Sequence, residues 1–198
     1  MPNFFEFSIN HRIRFRGQLT TEQCSCISSI GRRCRNKTVI GSGYCWQHLL
    51  SIKHLRIKPS TIPNAGEGLF ALNKRIPIGT LMFQEGDKLV EYHGEIINHN
   101  ELERRYGDKT APYGIEINHN RYEDGALLRG VGTLINHKPL RQSNCRFSIS
   151  KNNRNPQLNN KINIVATKNI YNGDELFVYY GDDYRFHEPG VSYRTVYM

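Results

Sequence analysis

Beyond residue 53 the chain never keeps one structural rhythm for long. HLRIKPS (54–60), GEGLFAL (66–72), TLMFQ (80–84) and KLVEYHGEII (88–97) alternate or run apolar for a few residues between Gly, Pro and Asn. YGIEINHNRYED (113–124) reads as a hairpin or bent strand, and 145–150 and 161–167 read as two strands joined by a polar, Asn-rich tip. Runs this short cannot span one wide sheet, so they predict a β-rich α+β domain of several small sheets. One short helix is expected at 101–106. Asn100 would be its N-cap, Glu101 and Glu103 suit its first turn, Arg104 and Arg105 its last, and Gly107 its end. No apolar run approaches the ~20 residues that cross a bilayer, so no membrane partner is expected. The start, MPNFFEFSINHRIRFRG, has neither an uninterrupted apolar stretch nor a small-residue cleavage site, which argues against a secretory leader and for an intracellular protein.

Four of the five cysteines fall between positions 24 and 45. In an intracellular chain they read as metal ligands or free thiols before disulfides. Cys24, Cys34, Cys45 and His48 give the spacing C-x9-C-x10-C-x2-H. Closed structural zinc sites use four such soft or borderline ligands, and residues 22–50 are too few to bury a core without one. One zinc per chain is expected. The alternative is a set of reduced thiols in a flexible leader, and Cys26 could replace Cys24 as ligand. With all four positions filled by protein, the site reads as structural rather than catalytic. The segment also resembles small three-Cys, one-His modules of phage, bacterial and giant-virus proteins, which carry a Gly three residues before the second Cys, as Gly31 does here.

The charge is unevenly placed. Net charge is +9, yet residues 1–58 hold ten Lys/Arg against two Asp/Glu, while 59–198 hold seventeen against sixteen. A basic leader (1–21) and module (22–50), with Arg32, Arg33, Arg35 and Lys37 around the ligands, suggest a grip on nucleic acid or an acidic surface, or else a solvated charged face.

Four later segments occur in order. They are NAGEGLFAL with Gly66, Glu67 and Gly68; EYHGEII with Tyr92 and Gly94; GVGTLINH with Asn136 and His137, followed by Ser143-Asn144-Cys145; and GDELFVYYGDDY with Glu175, Tyr180 and Gly181. The G-x-G lies between two strands rather than at a strand-to-helix turn, which argues against an ordinary dinucleotide site. Together, over residues 53–186, the segments resemble the SET domain of protein lysine methyltransferases, most closely the compact viral forms. The resemblance implies short curved sheets with a C-terminal pseudoknot (a β-clip), S-adenosylmethionine as methyl donor, and a lysine substrate, with histone tails the first candidate and a non-histone protein the second.

It also implies roles. Gly66, Glu67 and Gly68 would place backbone against the cofactor, and Asn136 and His137 would hold its amino and adenine ends, His137 by packing rather than proton transfer. Tyr180 matches the catalytic, cofactor-contacting Tyr, with Tyr92 and Tyr113 beside it. Tyr92, Tyr113, Val178, Tyr184 and Phe186 would line the lysine channel, and 187–198 would close it. For the tyrosines, core packing with a bonded hydroxyl is the alternative reading. Here the family's N-H-S-C run is interrupted by Lys138–Gln142, which weakens any role for Asn144. Nucleosome or DNA contact through 1–58, a homodimer, and a nuclear or virion location complete the expectations. A non-catalytic chromatin-binding module is the alternative class.

Overall fold

Strand formation follows the punctuation of the sequence. The computed structural model describes residues 2–9, 13–18, 20–39, 42–150, 161–184 and 191–197, with side-chain surroundings for 23–38, 42–150 and 161–184. In chain order the first elements are β1 (Pro2–Ile9), β2 (Ile13–Gln18), β3 (Thr20–Gln23), β4 (Lys37–Val39) and α1 (Trp46–Lys53). Next come β5 (Leu55–Pro59), β6 (Glu67–Ala71), β7 (Leu81–Phe83), β8 (Lys88–Glu91), β9 (Glu95–Ile97) and α2 (His99–Tyr106). Then follow β10 (Gly114–Asn118), β11 (Arg121–Asp124), a 3-10 turn at Val131–Leu134, β12 (Asn136–His137), β13 (Cys145–Ser150) and β14 (Lys161–Ala166). The last are β15 (Ile170–Tyr171), β16 (Phe177–Val178) and β17 (Val191–Tyr197).

These strands pair only in twos and threes, in the orders β17-β1-β2, β3-β4, β5-β6, β15-β7, β13-β14-β8, β10-β11-β9 and β12-β16. KLVEYHGEII is one apolar run in sequence but two strands in space. Gly94 breaks it by lying so close to the backbone of Asp124 and Gly125 that a Cβ there would sit 2.5 Å from Asp124. The helix at 99–106 begins two residues earlier than expected. Its cap is Asn98, not Asn100, and the Asn98 side chain accepts from the N–H of Glu101 at 2.9 Å. Gly107 ends it as expected, with φ +58.

The last part of the body inserts between earlier segments. On one side Leu176 N–H donates to Leu69 C=O at 2.8 Å; on the other β16 runs parallel to β12, pairing Asn136 with Phe177 and His137 with Val178. Asn144 N–H also donates to Phe177 C=O at 3.2 Å. This insertion agrees with a threaded C-terminal segment. The core beneath it includes Leu49, Leu55, Leu69, Val131, Ile135, Ile164, Ile170 and Leu176.

The chain is continuous where its composition changes. Helix α1 ends at His54 in the left-handed region (φ 54) and enters β5 at once, with no linker between module and body. Its Leu49 is fully buried in the body's core, with Tyr44 and Trp46 packed against the same cluster. Leader and tail also pair with each other: β1 lies antiparallel to β17, Phe5 opposite Thr195, and to β2, Phe5 opposite Gly17. Among the described residues no helix is long and apolar enough to cross a membrane.

Candidate active site

Aromatic side chains from four separate segments converge on one cleft. Tyr92, Tyr113, Phe147, Tyr180 and Tyr184 line it with Ile115, Ile135 and Thr133, and none of its described lining residues is acidic. Tyr92 follows β8, fixed by its N–H donating to Ile162 C=O at 2.8 Å. Its hydroxyl donates to Tyr113 C=O at 2.6 Å, and its ring meets Phe147 edge-on at 5.9 Å. Burial, then the negative charge of Asp124, pushes the Tyr92 phenol well above its ordinary pKa, so it stays protonated. Tyr92 is therefore both core and cleft wall.

Tyr180 joins the two halves of the site. Its hydroxyl donates to Ile135 C=O at 2.8 Å, and its backbone N–H donates to His137 Nδ1 at 3.1 Å. Its ring lies 5.3 Å from His137 and 4.8 Å from Tyr184. Because Nδ1 accepts, a neutral His137 carries its proton on Nε2. Burial lowers the His137 pKa, which suits a packing role over proton transfer. Tyr184 hydroxyl reaches Pro112 C=O at 3.5 Å, closing the cleft's other side.

Val178, expected in the lysine channel, is fully buried in the main core and is not among the residues that line the cleft. Phe186 and the side chains of 187–198 lie outside the described residues.

Beside the cleft stands the G-x-G strand. Asn136 Nδ2 donates to Glu67 C=O at 3.0 Å and lies 3.4 Å from Glu175 Oε1. The Glu175 carboxylate also accepts from Ser60 Oγ at 2.6 Å, Thr61 N–H at 2.7 Å and Thr61 Oγ1 at 2.6 Å. A Cβ on Gly68 would overlap Glu175 Oε1 and stand 3.4 Å from Asn136 Nδ2. The close approach at Gly68 is thus to this buried carboxylate. Gly66 differs: at φ +72 it has nothing within 4 Å of a would-be Cβ, leaving open backbone. That open backbone, with Asn136 and His137 alongside, fits an approaching ligand.

Asn144, expected to be weakened by the insertion, clamps the C-terminal segment. Its Nδ2 donates to Glu175 C=O at 2.9 Å, and its Oδ1 accepts from Phe177 N–H at 2.8 Å. Asn144 and Glu175 lie within the third and fourth sequence segments, where nothing in the spacing distinguishes them as structural anchors. A further network had no sequence signal. Asp124, fully buried, accepts from Arg105 Nη1 at 2.8 Å and from Tyr106 hydroxyl at 2.8 Å, while Arg105 also binds Glu101 and Glu95. It ties α2 to β11. The adjoining Gly125 N–H donates to Tyr113 C=O at 3.0 Å, the carbonyl that Tyr92 also uses.

Near the N-terminus, Cys24 Sγ, Cys34 Sγ, Cys45 Sγ and His48 side-chain N all lie within 4.8 Å of one another. The Cys34–Cys45 sulfur separation is 4.0 Å, and His48 Nδ1 lies 3.3 Å from both Cys24 and Cys45 Sγ. A tetrahedral zinc with ~2.3 Å bonds to sulfur separates its sulfurs by about 3.8 Å, so this donor set fits the ion. Burial alone would raise the Cys45 thiol, but hydrogen bonds from His48, Asn36 and Gln47 bring it down to about 7, toward the thiolate a metal needs. Gly31 and Gly43 turn at φ +73 and +69. Cys26 lies outside the group. Arg33 is spent on structure, donating to Cys24 C=O at 2.9 Å and Gln23 C=O at 2.8 Å, which leaves Arg32, Arg35 and Lys37 exposed.

The SET domain matches residues 66–181, more than half of the chain. N-lysine methyltransferase KMT5A-A of Xenopus laevis is 32% identical over 135 residues, covering 64% of this chain and 36% of that protein. N-lysine methyltransferase KMT5A of Xenopus tropicalis is 32% identical over 118 residues, covering 53% and 32%. The chain spans about a third of the length of these curated relatives. Among solved structures, ctPRC2 in an autoinhibited conformation bound to S-adenosylmethionine is similar with a TM-score of 0.52 and 28% identity, covering 66% of this chain and 15% of that one. A humanized mutant of the Chaetomium thermophilum Polycomb Repressive Complex 2 bound to the inhibitor GSK126 gives 0.52 and 27%, with the same coverage.

Proposed function

The chain belongs to the SET-domain family, and on that premise we propose that it is an S-adenosylmethionine-dependent protein-lysine N-methyltransferase acting on histone tails. The observation that carries this reading is Tyr180. It ties the Asn136–His137 strand, through its backbone, to an aromatic cleft with no acidic wall, through its ring and hydroxyl. S-adenosylmethionine, when bound, supplies a methyl group on a sulfonium. Gly66, Glu67, Asn136 and His137 would hold it, with open backbone at Gly66 and the Asn136 side chain already aligned by Glu67 and Glu175.

The cleft would take the lysine side chain. An ammonium of ordinary pKa ~10.4 must lose its proton before it can attack, and an apolar, acid-free cleft disfavours the charged form. The Tyr92 and Tyr180 hydroxyls each give their proton to a carbonyl, so each oxygen keeps lone pairs to accept weak C–H or amine N–H contacts. Aromatic walls narrow the approach of the amine, and alignment of this kind supplies much of the rate in an in-line transfer.

The N-terminal group would hold one structural zinc, a reading supported by ligand identity, count and spacing. Exposed Arg32, Arg35 and Lys37 and the basic stretch 1–58 would dock the enzyme on nucleosomal DNA, placing its work in the nucleus. The test is to incubate the full chain with the cofactor and core histones, then map modified residues by mass spectrometry. Methyl groups on histone lysines are expected. Methylation confined to a non-histone lysine panel would redirect the substrate, and cofactor binding without any methyl transfer would contradict the activity.

A further inference from the structure

Against the Tyr113 ring lies a buried cation. The guanidinium carbon of Arg129 sits 3.7 Å from the Tyr113 ring centroid, and the residue is only 7% exposed. Tyr113 lines the cleft, so this charge lies against one of the cleft's own walls. The site is tightly built. Gly130 N–H donates to His93 C=O at 2.8 Å, and a Cβ on Gly130 would meet His93 Cβ at 2.5 Å, which fixes the backbone beside Arg129. The phenols of Tyr92 and Tyr180 lie within electrostatic reach of the guanidinium, and the Asp124 carboxylate, held by Arg105 and Tyr106, within reach of Tyr92.

A cation on one face of an aromatic ring opposes a second cation on the other, by direct repulsion and by drawing on the ring's negative face. Burial weakens the screening that would dull this effect at the surface. We propose that Arg129 is a positioning residue for methyl transfer: acting through Tyr113, it disfavours the ammonium form of the substrate lysine and so favours the neutral nucleophile. The inference rests on the methyltransferase reading, and it names a protein charge that works beside the sulfonium.

The test is the pH profile of kcat/KM for methyl transfer to core histones by the full-length chain, comparing wild type, Arg129→Met, Arg129→Gln and Arg129→Lys. In the two neutral variants the acid limb should move to higher pH by about one unit, with cofactor affinity unchanged, while Arg129→Lys should keep the wild-type profile. Gln decides the matter if Met fails to fold. An unshifted limb in a folded neutral variant overturns the inference and leaves the methyltransferase reading intact. If wild type transfers no methyl group, that reading fails, and NMR titration of carbon-labelled tyrosine rings decides this one. Loss of the cation should then move the cleft phenols to higher pH, and unmoved titrations would overturn it.

Discussion

Gly68 and Asn144 carry more of the site than their size suggests. A methyl group on Gly68 has no room except by displacing the Glu175 carboxylate, which four donors hold in place. Gly68→Ala should therefore cost about 1–3 kcal/mol in unfolding free energy and weaken cofactor binding by calorimetry more than Gly66→Ala does. Asn144→Ala removes both ends of a clamp on Glu175 C=O and Phe177 N–H, so about 2 kcal/mol of lost stability is expected in denaturant unfolding. At this scale the sequence was legible where a residue type is chemically demanding. Tyr92, Tyr113, Tyr180 and Tyr184 come together in one cleft, and Gly66 leaves open backbone beside Asn136. Arg129 and the Arg105–Asp124 pair left no trace, because a buried charge is spelled like an exposed one until its partners, distant in sequence, are known.

Among the elements, the β10–β11–β9 sheet holds an unusual burden. Glu123 on β11 stands between Ile115 and Ile96 in the ladder and is 5% exposed. Burial, set against one hydrogen bond from Gly94 N–H, pushes its carboxyl up to about 7. A raised folded-state pKa means the native protein binds this proton more tightly than the unfolded chain. The associated stability is full below the ordinary value of 4.5 and is lost as pH climbs through about 7. The melting temperature should fall between pH 5 and pH 8 on the order of a few degrees, and Glu123→Gln should flatten that slope. The sheet's strands were readable from alternation and turn residues. The misplaced helix start was not, since Asn98 and Asn100 are equally good caps and only the bond to Glu101 N–H separates them. The burial of Val178 in the main core was not readable either, since β16 pairs with β12 across about forty residues of chain.

The whole molecule is more continuous than its charge distribution suggests. The +8 of residues 1–58 marks a compositional border, but no structural gap follows it: α1 runs into β5, and Leu49 closes the core shared with Leu55 and Leu69. Leu49→Ala should cost about 2–5 kcal/mol for the entire chain. For the same reason, stripping a bound zinc with a chelator, or Cys45→Ser, should lower the single melting transition rather than melt an independent module. Two transitions, with the later one unmoved, would restore a separable knuckle. These scales meet at Tyr180, where the threaded segment delivers one hydroxyl to an acid-free cleft. Its most direct test is transfer of tritium from labelled S-adenosylmethionine to core histones by wild type and by Tyr180→Phe. Wild type should label histones, and the variant should lose on the order of a hundredfold in rate while still binding cofactor. Equal labelling by both proteins would contradict the account.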